Sequence, residues 1–185
     1  MDKRLPIPKD WQAFERICHR LWSDIWADPS AQLNGRSGQS QNGVDVFGIN
    51  FYDQKTCGIQ CKDKDGLLGS ELKEAELLAE CGKARSFRPR IASFVMATTA
   101  PRDAHIQKMA NEINANRDEP FRVNIWSWND IEAEILWRPS IMKVALIPWK
   151  IFRQALRMDR LRKSGAVTVE TVDHQVLDRK APCCA

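Results

Sequence analysis

Residues 91–126 constrain the fold more than any other stretch. Residues 91–98 are an almost continuous apolar run. Residues 103–116 carry Ile106, Met109, Ala110 and Ile113 at helical spacing, and residues 121–126 return to an apolar strand pattern. A strand that is apolar on both faces has none to give to solvent, so both faces need cover. Two such strands separated by a helix are joined as parallel neighbours through a crossover. The chain is therefore expected to be α/β, a mixed central sheet flanked by helices.

The remainder supplies more elements of that architecture. Residues 10–27 repeat apolar side chains at Trp11, Phe14, Ile17, Cys18, Leu21, Trp22, Ile25 and Trp26, the stripe of an amphipathic helix, with Asp10 as its N-cap and Pro29 beyond its end. Residues 30–43, rich in Gly, Ser, Asn and Gln, read as a loop. Residues 44–51 and 58–62 read as two strands of a hairpin, with a polar, turn-like segment at 52–57 between them. A helix is expected over 70–87, with Leu72, Ala75, Leu78, Ala79 and Gly82 inward, and another from Ser127 or Asn129 through Leu136. Residues 149–163 read as a basic helix ahead of a polar tail, which divides the chain into a domain at 1–148 and an appendage at 149–185.

The chemistry concentrates on the hairpin. Asp45 puts a carboxylate into an apolar strand, where an unpaired charge is costly. Gln60 and Lys62, two apart on the next strand, share one face, and antiparallel pairing brings Asp45 to it. A hard cation such as Mg²⁺ takes oxygen ligands, here Asp45, the Gln60 amide oxygen and a backbone carbonyl at Cys61. Lys62 would then stand beside a phosphate and an attacking water, the parts that phosphodiester hydrolysis requires.

The run Gly43-Val44-Asp45-Val46, a turn, and Gly58-Ile59-Gln60-Cys61-Lys62 resembles the core of PD-(D/E)XK nucleases. The similarity is to the Mrr-like branch of restriction endonucleases, in which Gln stands where most relatives carry Asp or Glu. The Gly-rich loop at 35–39, Ala97-Thr98-Thr99 at a strand end and the order of elements also resemble that branch, over roughly residues 10–136. The resemblance implies a restriction-endonuclease-like core and a Mg²⁺- or Mn²⁺-dependent endonuclease acting on DNA. It implies Asp45, Gln60 and Lys62 as the catalytic and metal residues, with Glu15 on the first helix as a further acidic position near the metal. It also implies a role in bacterial restriction or antiviral defence, and a homodimer or larger effector assembly with a sensing or NTPase domain or partner. A neutral Gln60 removes one negative charge and weakens cation binding. A catalytically silent nucleic-acid-binding or interaction module on the same fold is therefore the alternative, and an RNA-directed nuclease is a third reading.

Each residue also has a plainer role open to it. Asp45 could bond loop amides, Lys62 could snorkel to solvent, and Glu15 could lie on a solvated helix face. Arg36, Gln39, Gln41, Lys64, Lys83, Arg85 and Arg88 are the expected nucleic-acid contacts. The basic cluster around Lys83, Arg85, Arg88 and Arg90 would equally stabilise a helix C-terminus. Thr98 and Thr99 are expected to cap the following helix, and Trp11, Trp22 and Trp26 to pack in the core. The formal net charge of +4 permits a polyanionic partner without requiring one. The six cysteines and three histidines show no paired metal-ligand spacing, which argues against zinc. With no leader-like N-terminus and no apolar run long enough to cross a bilayer, a reduced, cytoplasmic protein is expected.

Overall fold

The computed structural model describes residues 5–35, 39, 41–64, 71–138 and 141, all within one compact unit, Met1–Lys143. The basic helix and tail expected beyond residue 148, and Arg36, lie outside the described residues. The order of elements is α1 (Trp11–Ile25), β1 (Gln32–Leu33), β2 (Val46–Asn50), β3 (Lys55–Lys62), α2 (Glu74–Ala84), β4 (Ser93–Thr98), α3 (Ala104–Ala115), β5 (Arg122–Trp126) and α4 (Trp128–Trp137). The five strands lie in the order β1-β2-β3-β4-β5. The first three pair antiparallel, and β3-β4 and β4-β5 pair parallel. This is an α/β fold with an open mixed sheet, and the crossover through α3 is the one read from residues 91–126.

Helices cover both faces of the sheet. On one, Leu77, Cys81 and Ala84 of α2 and Ile106 and Ala110 of α3 enclose Phe94, Met96 and Val123. On the other, Phe14, Cys18, Leu21 and Trp22 of α1 are buried, with Trp22 edge-on to Trp126 at 5.0 Å between ring centroids and Phe14 against Trp128 at 6.4 Å. Trp126 pairs with Ala97 in the register, so alternation along β4 sets this face opposite Met96. Each of these large buried side chains contributes about 2 kcal/mol through loss of apolar surface from water.

Several boundaries differ from the sequence reading for physical reasons. β3 begins at Lys55 rather than 58, because the turn closes tightly: Gln54 takes a left-handed φ of 56° and its N–H donates to the Asn50 carbonyl at 2.8 Å. The expected loop at 30–43 contains the short edge strand β1, paired at Gln32↔Phe47 and Leu33↔Val46. α1 is capped by Asp10, whose carboxylate accepts the Ala13 N–H at 2.7 Å. Trp11 is 40% exposed rather than in the core, since it opens the helix almost a turn before the first buried residue, Phe14. α2 begins at Glu74, where the Glu76 carboxylate accepts the Lys73 N–H at 3.0 Å. Its buried face is Leu77, Glu80, Cys81 and Ala84, and Leu78 is exposed. Periodicity alone assigns the inward face to apolar residues; here a buried carboxylate belongs to it. Among the described residues no helix is long and apolar enough to cross a membrane.

Candidate active site

Asp45 lies one residue before β2, yet the ladder extends through it. Its N–H donates to the Ile59 carbonyl at 2.7 Å, and its carbonyl accepts the Asn34 N–H at 2.7 Å. With Val46 opposite Ile59 in the register, Asp45 faces Gln60. Asp45 is 4% exposed, and its Oδ2 accepts two hydrogen bonds, from Gln60 Nε2 and from the Cys61 N–H, each at 2.6 Å. Gln60 Nε2 also lies 3.4 Å from the Cys61 carbonyl, so the amide stands between two of the oxygens expected to bind metal. Burial raises the Asp45 pKa from 3.8 to about 6, against the opposing effects of the Cys61 N–H and Lys62.

The Lys62 side chain is 26% exposed, and its ammonium is held by a carboxylate of α2. Its Nζ donates to Glu80 Oε1 at 2.7 Å, and Lys83 Nζ reaches the same oxygen at 3.0 Å. Burial opposes ionisation of Glu80, but the hydrogen bonds from Lys62 and Lys83 prevail and hold its carboxyl below its ordinary value. Glu80 was absent from the sequence reading. Its signal was available as the position between Leu77 and Cys81 on the helical repeat, but a charged residue there is discounted until a partner is known.

Glu15, half-buried on α1, is electrostatically coupled to Asp45. Burial, and then the Asp45 charge, push its pKa up to about 7. The fold thus brings Glu15 into the electrostatic neighbourhood of Asp45. One turn on, Cys18 is fully buried, and the Cys61 thiol is pushed up by burial and then by Cys18. Both are free thiols, Cys18 buried and Cys61 partly exposed.

Beyond this centre, several expected nucleic-acid contacts are engaged within the protein. Lys64 Nζ bonds both Glu76 oxygens at 2.6 and 2.7 Å. Arg85 makes a two-pronged pair with Glu119 at 3.2 and 2.7 Å, and Arg88 donates to the Phe87 carbonyl at 2.8 Å. Gln41 and Asn34 staple the loop ahead of Asp45: Gln41 Nε2 donates to the Asn34 carbonyl at 2.8 Å, and Asn34 Nδ2 donates back to the Gln41 carbonyl at 2.9 Å. Gln39 is exposed on that loop.

Thr99 and Thr98 do not cap α3; Asp103 does, accepting the His105 N–H at 2.7 Å. Thr99 instead ties down the chain after β3, its hydroxyl accepting the Lys64 N–H at 2.6 Å, while Thr98 accepts the Ala100 N–H at 3.1 Å. A polar hydroxyl buried at a strand end is used where backbone donors are orphaned, and here those lie in the adjacent turns.

Among the described residues, no three His, Cys, Asp or Glu side chains converge as a metal cluster. Any cation here would rest on two carboxylates and on neutral oxygens. Compared with known proteins, the chain matches no family model and no curated sequence.

Proposed function

We propose that the chain is a metal-dependent nuclease with a restriction-endonuclease-like core, hydrolysing phosphodiester bonds of DNA through Asp45, Gln60 and Lys62 with Glu15 beside them. The observation that carries this reading is the buried Asp45 carboxylate, double-bonded by Gln60 and the Cys61 N–H at 2.6 Å, on the sheet face that also bears Lys62. A buried carboxylate beside a second one is unfavourable as a purely structural device, and perturbed carboxyls of this kind concentrate at functional sites.

The donor set fits Mg²⁺ or Mn²⁺. Asp45, Glu15, the Gln60 amide oxygen after a half-turn of the amide, and the Cys61 carbonyl are all hard oxygens. The Asp45 charge raises the affinity of Glu15 for its proton, a repulsion that a divalent cation relieves. A bound cation supplies Lewis acidity for attack on the phosphodiester. Gln60 orients the Asp45 carboxylate. Lys62 presents an ammonium to charge developing on a phosphate oxygen. The order of elements, a helix, an antiparallel hairpin and a parallel strand added through a helix, supports the restriction-endonuclease-like reading. Cutting both strands with one site per chain calls for a two-fold dimer.

The silent-module reading draws on one observation. Gln60 is turned so that its amide nitrogen, not its oxygen, meets Asp45, and among the described residues no buried side-chain nitrogen or oxygen lacks a partner. Incubation with supercoiled plasmid separates the two. Nicking in Mg²⁺ or Mn²⁺ that disappears in EDTA and in Asp45→Ala supports the nuclease. Salt-sensitive binding with no nicking under any metal supports the module, and competition between duplex DNA and structured RNA reports substrate preference.

A further inference from the structure

We propose that Glu80, on α2, is the positioning residue of the site: it holds the Lys62 ammonium in place on the sheet face shared with Asp45 and Gln60. This rests on the nuclease reading for its catalytic consequence and on geometry alone for the contact itself.

Three observations converge on Glu80. Its side chain is 7% exposed, yet it sits 2.7 Å from Lys62 Nζ, so the pair is largely withdrawn from water. A flexible lysine of four methylenes has no reason to stop at one point unless something fixes it, and a buried charge-assisted hydrogen bond does so. The second is Gly43, two residues before Asp45. A Cβ there would lie 2.9 Å from the Glu80 carbonyl oxygen and 3.2 Å from Glu80 Oε2. The turn that leads into Asp45 therefore rests directly on the helix turn that carries Glu80. The third is Lys83, which reaches the same Glu80 oxygen at 3.0 Å.

Two ammonium groups already compensate the Glu80 carboxylate, so it is assigned to Lys62 and not to a cation. The backbone before Asp45 and the Lys62 head group are thus referenced to a single residue of α2. A displacement of that helix moves both together, whereas the β-hairpin alone fixes only their backbones. Misplacing a reacting group by about 1 Å lowers turnover about a hundredfold, which is the scale of effect a positioning residue has.

The test uses the isosteric variant Glu80→Gln and the shortened Glu80→Asp on the full chain. Lys62 acylation by an N-hydroxysuccinimide ester is followed by peptide mass spectrometry, with the well-exposed Lys108 as internal reference. Release from a charged hydrogen bond should raise Lys62 labelling about tenfold in Glu80→Gln while Lys108 is unchanged. Plasmid nicking should fall with unaltered dependence on Mg²⁺ concentration, and Glu80→Asp should recover part of both.

Unchanged Lys62 labelling in folded Glu80→Gln overturns the proposal, whatever the protein cuts. Faster labelling with wild-type nicking also overturns it, as does a raised Mg²⁺ requirement, which would make Glu80 a metal ligand. Faster labelling in a protein whose wild type cleaves nothing upholds the contact and rejects the nuclease reading instead. Should Glu80→Gln fail to fold, the labelling of Glu80→Asp decides alone.

Discussion

Gly43 and Glu80 lie too close for a side chain between them: at the left-handed Gly43, φ 69°, an added Cβ would meet the Glu80 carbonyl oxygen at 2.9 Å. The contact joins the turn before Asp45 to the middle of α2, and it leaves no atom to spare. Gly43→Ala is therefore expected to be destabilising on two counts. The left-handed conformation costs about 1–2 kcal/mol for a residue with a Cβ, and the overlap with a helix backbone adds to it because neither side is a flexible tip. Urea denaturation should report a lowered midpoint with an unchanged slope. A midpoint equal to wild type would mean that the turn and α2 are not in contact in solution.

The two raised carboxyls set a pH dependence of stability. Asp45 and Glu15 titrate near 6 and 7 in the fold, above their ordinary values of 3.8 and 4.5. Between about pH 4 and 7 the native state binds more protons than the unfolded chain, so their contribution is intact below that window and is lost as pH rises through it. Glu80, Glu76 and Asp130, held below their ordinary values, act in the opposite sense and weaken the fold as pH falls through the acid range. Comparison with Asp45→Asn isolates Asp45. The variant should be more stable than wild type at pH 7.5 by up to about 3 kcal/mol, the equivalent of the difference between 3.8 and about 6, and the two should converge near pH 4. Thermal melts across that range, in EDTA, provide the comparison.

Divalent cations should shift the same balance. A cation that binds the native site and not the unfolded chain stabilises by about 1.4 kcal/mol at ten times its dissociation constant. Mg²⁺ or Mn²⁺ is expected to raise the melting temperature of wild type and to leave Asp45→Asn and Glu15→Gln much less affected. An equal rise in all three would place the ion elsewhere.

Arg85 has a structural task that can be measured apart from any nucleic-acid role. Glu119 has a side chain 4% exposed and is met by both prongs of Arg85. Removing the guanidinium leaves that carboxylate buried without its partner, at a cost of about 1–3 kcal/mol. Arg85→Ala should unfold at lower urea, and Arg85→Ala/Glu119→Gln should recover part of the loss. DNA binding measured against salt adds a second axis: a slope reduced by about 0.9 would count Arg85 as a phosphate contact as well.

What could be read from the sequence divides along the range of the interactions. The strands and helices of residues 91–126, and the Asp10 cap, follow from local pattern and came through with small shifts of boundary. The Asp45–Gln60 juxtaposition was also legible, because two-residue alternation and a short turn fix which side chains share a face. The inward face of α2 was not. Leu77, Cys81 and Ala84 form a sound stripe only if Glu80 is admitted to it, and what admits Glu80 is Lys62, eighteen positions earlier. The edge strand β1 is two residues long and owes its existence to pairing with Val46 and Phe47, so nothing local marks it. Similarly, Lys64, Lys83 and Arg85 read as free cations in one dimension, since their acidic partners lie on other turns or other elements.

The mixed pairing of β3 bears on how the site comes into being. β2 and β3 are joined by a tight turn and can zip together early, carrying Asp45, Gln60 and Lys62 with them. The parallel neighbour β4 arrives only after the chain has passed through α2, and such non-local pairing is slow because loop closure precedes its reward. A nascent chain therefore owns the sequence motif long before it owns the site. Until α2 docks, Lys62 has no counterion on the sheet face and the turn at Gly43 has nothing to rest on. The counterion of Lys62 and the support beneath Gly43 therefore arrive together, with the docking of one helix.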